Sequence, residues 1–143
     1  MARMLIPNLA VKDLDRSVAF FTGLGFEFDP RFTDDTATAM IVNDQATVML
    51  LTESKFEEFT TKELVDATRQ TEAIIALSAH TREDVDSFAD KALATGGSPA
   101  KEPMDLGFMY GRSFADPDGH HWEIFWMDPA ALEQQPAESG AAA

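Results

Sequence analysis

Two hydrophobic periods alternate along the chain, and their order repeats. From Met4 to Val11 runs a short apolar stretch interrupted by Pro7 and Asn8. It reads as a strand whose proline favours its beginning or a sheet edge. Asp13 then offers an N-cap, and Leu14, Val18 and Phe21 fall on one helical face. Gly23 and Gly25 stop that helix. Phe26, Phe28 and Phe32 follow at even spacing and predict a second strand. Ala37–Val42 and Thr47–Leu51 predict a hairpin turning through Asn43-Asp44.

The same order returns in the second half. Ala73–Ala79 is an apolar strand, Thr81 caps a helix with Asp84 three residues on, and Val85, Phe88, Ala89, Ala92 and Leu93 form its stripe. Gly96-Gly97 ends it. A short segment near Ser98–Glu102 precedes a strong hairpin, Phe108–Ala115 and His120–Trp126, closed by Asp116-Pro117-Asp118-Gly119. The fold class expected is α+β: two βαβββ modules forming a curved mixed sheet around a cleft. The domain expected is 1–133, with modules at 4–52 and 73–127. Between them, 53–72 carries Phe56, Phe59, Leu64 and Val65 among charges, with Thr60 and Glu63 spaced as a capping box. It reads as a helical connector, with a lid over the cleft as the functional alternative. Residues 134–143 are small and polar and read as a disordered tail.

Composition narrows the chemistry. The 143 residues include 11 Lys and Arg against 25 Asp and Glu, for a net charge of −14, and no basic stripe interrupts the acidic surface. Nucleic acid and anionic membrane are therefore poor partners. Without cysteine, disulfides, thiolate metal sites and a cysteine nucleophile are excluded. Neither a leader peptide nor an 18-residue apolar run is visible, so a cytoplasmic protein is expected.

The closing hairpin carries the candidate site. If Asp116–Gly119 is a four-residue turn, Ala115 pairs with His120 and Arg112 stands opposite Glu123. One face then carries Tyr110, Arg112 and Phe114 against Phe125, Glu123 and His121. That polar and aromatic wall predicts an Arg112–Glu123 ion pair and a ligand-contacting surface. His80 and His120 are expected to be exposed. No nucleophile elbow, phosphate loop or zinc-protease spacing is present.

Two segments resemble a known family. Asn8-Leu-Ala-Val-Lys-Asp-Leu-Asp-Arg-Ser-Val-Ala-Phe-Phe-Thr-Gly-Leu-Gly-Phe26 resembles the opening of the vicinal oxygen chelate superfamily, which holds glyoxalase I, bleomycin-resistance proteins and extradiol dioxygenases. Asp116-Pro-Asp-Gly-His-His-Trp-Glu123 resembles its closing motif. The resemblance implies paired βαβββ modules, a homodimer, and a cavity that in many members holds a divalent metal. Carried onto this chain, the metal-ligand positions fall at Ile6, Leu50, Ile74 and Glu123. One carboxylate beside three aliphatic side chains cannot replace the hydration of a divalent ion, which needs roughly three to six N or O donors. No cofactor is therefore expected. The alternative is an atypical divalent-metal site in which His121 and Glu123 ligate with Asn8 or Tyr110.

The expected function is a small-molecule-binding protein whose usual metal site is largely lost, with Asn8, Tyr110, Arg112, Phe114 and Phe125 contacting the ligand. Two enzymatic alternatives stand beside it. One is a metal-dependent glyoxalase-like lyase or dioxygenase built around His121 and Glu123; the other is a metal-free enzyme using either residue as catalytic base. A module serving assembly with another protein ranks last.

Overall fold

The computed structural model describes residues 3–133; the tail expected at 134–143 lies outside them. The first module runs β1 (Asn8–Val11), α1 (Leu14–Gly23), β2 (Glu27–Asp29), β3 (Ala37–Asn43) and β4 (Ala46–Thr52). A short helix, α2 (Glu53–Glu57), opens the connector. The second module runs β5 (Ile74–Ser78), α3 (Arg82–Ala94), β6 (Ser98–Pro99), β7 (Met104–Asp105), β8 (Met109–Ala115) and β9 (His121–Met127), followed by α4 (Pro129–Glu133).

Both modules build a mixed sheet of one design. The first has the order β1-β4-β3-β2 and the second β5-β9-β8-β6, with β7 also pairing β8. In each, the opening strand lies parallel to the last strand, and the crossover that this requires is the helix. The helices start where the capping residues place them. The Asp13 carboxylate accepts from the Arg16 amide at 3.1 Å, and the Thr81 hydroxyl from the Asp84 amide at 3.0 Å.

One core serves both modules. Leu9, Val11, Met40, Val48 and Leu50 of the first sheet, Phe20 and Phe21 of α1, Ala92 of α3, and Phe114 and Trp122 of the second sheet are buried together. Phe21 lies 5.1 Å from Trp122 between ring centroids, and Phe114 stacks on Trp122 at 6.5 Å. Rings of this size each remove about 150–250 Å² from water, so the junction between modules is where apolar burial concentrates. Both sheets turn their helix-covered faces to this core, and their other faces point away from it.

Two local expectations fail. Phe32 does not continue a strand; it closes a 3₁₀ turn over Pro30–Phe32 and is 59% exposed, because Asp29 caps that turn through the Arg31 amide and Pro30 sits at its start. The connector is helical only over Glu53–Glu57. At the expected capping box, the Thr60 hydroxyl accepts from the Lys62 amide, two residues on, and Asp66 likewise binds the Thr68 amide. These local turns take the place of helix.

Candidate functional site

The geometry of the second sheet is set at the tip of its hairpin. The Gly119 amide donates to the Asp116 carbonyl at 2.9 Å, and the Asp116 amide to the His120 carbonyl at 3.0 Å. Gly119 has φ +97°, a left-handed conformation that glycine adopts without strain. The loop is therefore three residues, Pro117-Asp118-Gly119, with the glycine inserting a bulge before β9. Ala115 pairs with His121, Ser113 with Glu123 and Arg112 with Ile124.

This corrects the expected four-residue turn, and a slip of one residue moves every side chain to the opposite face. Tyr110, Arg112 and Phe114 share the helix-covered face with Trp122 and Ile124, while His121, Glu123 and Phe125 share the open face with Gly111, Ser113 and Ala115. The expected Arg112–Glu123 pair does not form. Arg112 instead donates to Asp86 at 3.1 Å and Asp90 at 2.8 Å, both on α3. Tyr110 donates to Asp86 at 2.6 Å, and this bond raises the tyrosine pKa and lowers that of the aspartate. Phe114 is fully buried in the core. Of the side chains grouped by sequence, the structure brings together His121, Glu123 and Phe125.

On that open face, His121 Nε2 stands 3.7 Å from Glu123 Oε2, and Glu123 is 42% exposed. His121 Nε2 is itself buried with no hydrogen-bond partner. The parallel partners on β5 are Ile74 and Ala76. Asn8 lies on the open face of the first sheet in register with Met49, and its side-chain amide donates to the Ile6 carbonyl at 2.9 Å. Leu50 points into the core, so the residues on the open face there are Met49 and Leu51. A thioether and an alkyl chain are no better ligands for a hard cation. Among the described residues no three His, Asp or Glu side chains converge as a metal site would need. The donor set therefore does not fit the superfamily's metal.

The rest of the closing motif does a different job. Asp118 accepts from the Lys12 amide (2.9 Å), Arg16 Nη2 (3.2 Å) and the Ser17 hydroxyl (3.3 Å), so the hairpin tip is tied to the start of α1. Asp116 accepts from the amides of Asp118 and His120 and from the Trp122 indole. His120, expected at the surface, is only 6% exposed. Its Nδ1 donates to Glu72 at 2.7 Å and its Nε2 to the Ala10 carbonyl at 2.6 Å. A carboxylate and a carbonyl only accept, so both ring nitrogens carry protons and the ring is an imidazolium. Burial works against that charge. The Asp116 carboxylate, the Ala10 carbonyl and Glu72 outweigh it and raise the His120 pKa above the ordinary value. Burial likewise pushes the Asp116 carboxyl up, opposed by the His120 charge and the hydrogen bonds it accepts. The sequence shows Asp116–Gly119 as a turn; it does not show partners about a hundred positions away.

Beside this latch lies a cavity of about 420 Å³, bounded by β1, the connector and the hairpin tip. Asn8, Phe56, Leu64, Val65, Ala67 and His120 are among its lining residues. Asn8 is the one residue singled out in the sequence as a ligand contact that reaches it. No helix among the described residues is long and apolar enough to cross a membrane.

The family model described as Glyoxalase/Bleomycin resistance protein/Dioxygenase superfamily matches residues 3–124. No curated protein matches the chain in sequence. Among solved structures, hypothetical protein SA1046 from S. aureus is 30% identical, with 88% of this chain and 94% of that one covered and a TM-score of 0.74. A glyoxalase-related enzyme from Fulvimarina pelagi is 19% identical, covering 88% of each chain at a TM-score of 0.73. The fosfomycin resistance protein FosX from Listeria monocytogenes is 17% identical, covering 91% and 97% at a TM-score of 0.63. The last two are alike in fold alone.

Proposed function

The chain belongs to the glyoxalase/bleomycin resistance protein/dioxygenase superfamily, and on that premise we propose that it binds a small organic molecule without the superfamily's divalent metal. The observation that carries this reading is the donor set. Where the resemblance places four ligands, the chain offers Ile6, Met49 or Leu51, Ile74 and a lone Glu123. An ion held by one carboxylate in such surroundings would lose far more hydration energy than it regained.

The ligand face is that of His121, Glu123 and Phe125, and a second copy of the chain covers it. Support for the second copy comes from the apolar side chains left in solvent on and beside that sheet: Ile74, 56% exposed, with Met104, Leu106 and Phe108. Large apolar side chains left in water at both ends of one sheet are the kind of surface that a second copy would cover. The second copy would supply the opposite wall with the open face of its first sheet, the face that carries Asn8 and Ile41.

Protein purified without chelator provides the test. Elemental analysis is expected to find transition metal far below one ion per chain. Added Zn²⁺, Mn²⁺ or Ni²⁺ is expected to leave the melting temperature unchanged, since an ion that bound only the folded state would raise it. One tightly held ion per chain overturns the proposal. The unpartnered Nε2 of His121 favours a second reading, in which His121 and Glu123 exchange a proton with a bound substrate. Turnover lost in Glu123→Gln with ligand affinity retained would establish that reading over simple binding.

A further inference from the structure

We infer that the cavity beneath the connector is a binding site of its own, for a small, mostly apolar organic cation. It rests on the reading of the chain as a small-molecule binder and uses none of the residues of the His121–Glu123 face, sharing with that reading only Asn8 of β1. The site is argued from the size and lining of a half-open pocket and the ligand class from the charges around it. At about 420 Å³ the cavity falls in the range of pockets that take drug-sized molecules. Its apolar surface comes from Leu9 and Ala10 of β1 and from Phe56, Leu64, Val65 and Ala67 of the connector.

The charged groups lining the cavity divide sharply. Asp118 is committed to the Lys12 amide, Arg16 and Ser17. Glu72 is committed to the His120 imidazolium. Asp66 is held by the hydroxyl and amide of Thr68, and the charge of Lys12 further favours its ionised form. Lys12 also lines the cavity and, among the described residues, has no ion-pair partner. Glu53 and Glu63 remain: both line the cavity, and among the described residues neither has an ion-pair or hydrogen-bond partner. An apolar pocket whose two free carboxylates outnumber its one free ammonium is complementary to a hydrophobic body carrying one positive charge, and Phe56 offers an aromatic surface to such a cation. The net charge of −14 further enriches cations, and depletes anions, around the molecule.

Three probes of one shape separate the contributions: phenylbutylamine, phenylbutanol and phenylbutyrate, titrated into the full chain and followed by NMR shifts. The amine is expected to bind roughly tenfold or more tighter than the acid, with the alcohol between. Glu53→Gln with Glu63→Gln should weaken the amine roughly 3- to 10-fold, as loss of two exposed ion pairs implies, and leave the alcohol unchanged. Ala67→Leu fills the chamber and should abolish binding of all three, with Leu64→Trp as the second filling variant should the first fail to fold. Glu123→Gln should change none of them. Equal affinity for amine and acid, no binding of the amine, or amine binding that survives both filling variants overturns the inference. Binding lost in Glu123→Gln also overturns it, and moves the ligand to the open face of the second sheet. None of these outcomes bears on the metal content, which tests the reading above separately.

Discussion

Replacing His120 by phenylalanine tests the latch that joins the modules. The substitution keeps a ring of similar size and removes both donated hydrogen bonds and the charge. The Ala10 carbonyl then loses the partner 2.6 Å away that occupies it at the free edge of β1, which costs about 1–3 kcal/mol for a buried acceptor. Glu72 is 28% exposed and turns into water, so its loss adds less than about 1 kcal/mol. The expected destabilisation near neutral pH is therefore about 1–4 kcal/mol, a large share of what a small domain possesses.

The same ring gives that difference a pH dependence of fixed sign. Its folded-state pKa is raised above the unfolded value of about 6.5, so the folded state binds the proton more tightly. The contribution is complete below about pH 6.5 and is lost as pH rises through the folded pKa. Urea unfolding followed by tryptophan fluorescence, from about pH 6 to pH 9, reports it because Trp122 is buried in the shared core. The wild-type curve should fall toward the variant's across that range. The Asp116 carboxyl is coupled to the ring, because the His120 charge opposes the rise that burial gives it and is absent from the variant. Two parallel curves, or a wild type that gains stability as pH rises, would refute the imidazolium assignment.

Two further substitutions probe the same hairpin. Asp118→Ala leaves the Lys12 amide and the buried Ser17 hydroxyl without their acceptor and frees Arg16, so a loss of about 3–5 kcal/mol is expected in the same unfolding assay. Gly119→Ala is expected to cost more than about 2 kcal/mol. Its φ of +97° strains an L-residue, and the added Cβ would lie 2.5 Å from the Ala67 carbonyl oxygen. Glu123→Gln should change stability by less than about 0.5 kcal/mol, because the side chain is solvent-accessible and no hydrogen bond depends on it.

The parts of the fold legible in the sequence are those fixed by neighbours in the chain. Asp13 and Thr81 cap their helices through amides three residues on, and Val85, Ala89 and Ala92 are buried at the predicted spacing. The repeated strand and helix order is legible for the same reason, since each element shows its own period. Phe32 and the stretch around Thr60 depart from their hydrophobic period because a side chain there satisfies a nearby amide and stops the regular element. The candidate site was harder. Asp116-Pro-Asp-Gly permits a four-residue loop or a three-residue loop with a bulge, and local propensity separates them poorly. What favours the observed one is tertiary. Asp118 reaches Ser17 and Arg16, and His120 reaches Ala10, only when Gly119 takes the left-handed conformation.

That choice assigns the two halves of the motif to different tasks. Asp116, Asp118, His120 and Trp122 alternate along the chain, and all four are buried, turned toward α1, β1 and the core. His121, Glu123 and Phe125 take the intervening positions and face outward. A closing motif that resembles a family's active-site signature is here mostly a device for holding two modules together. Its chemical part is reduced to a histidine and a carboxylate 3.7 Å apart. Selection on the buried set would preserve the motif whether or not the outward-facing pair retained a metal or a reaction. The resemblance of Asp116–Glu123 is therefore strong evidence for the fold and weak evidence for catalysis. Substitutions should divide along the same line, with stability following the buried positions and ligand affinity the outward ones.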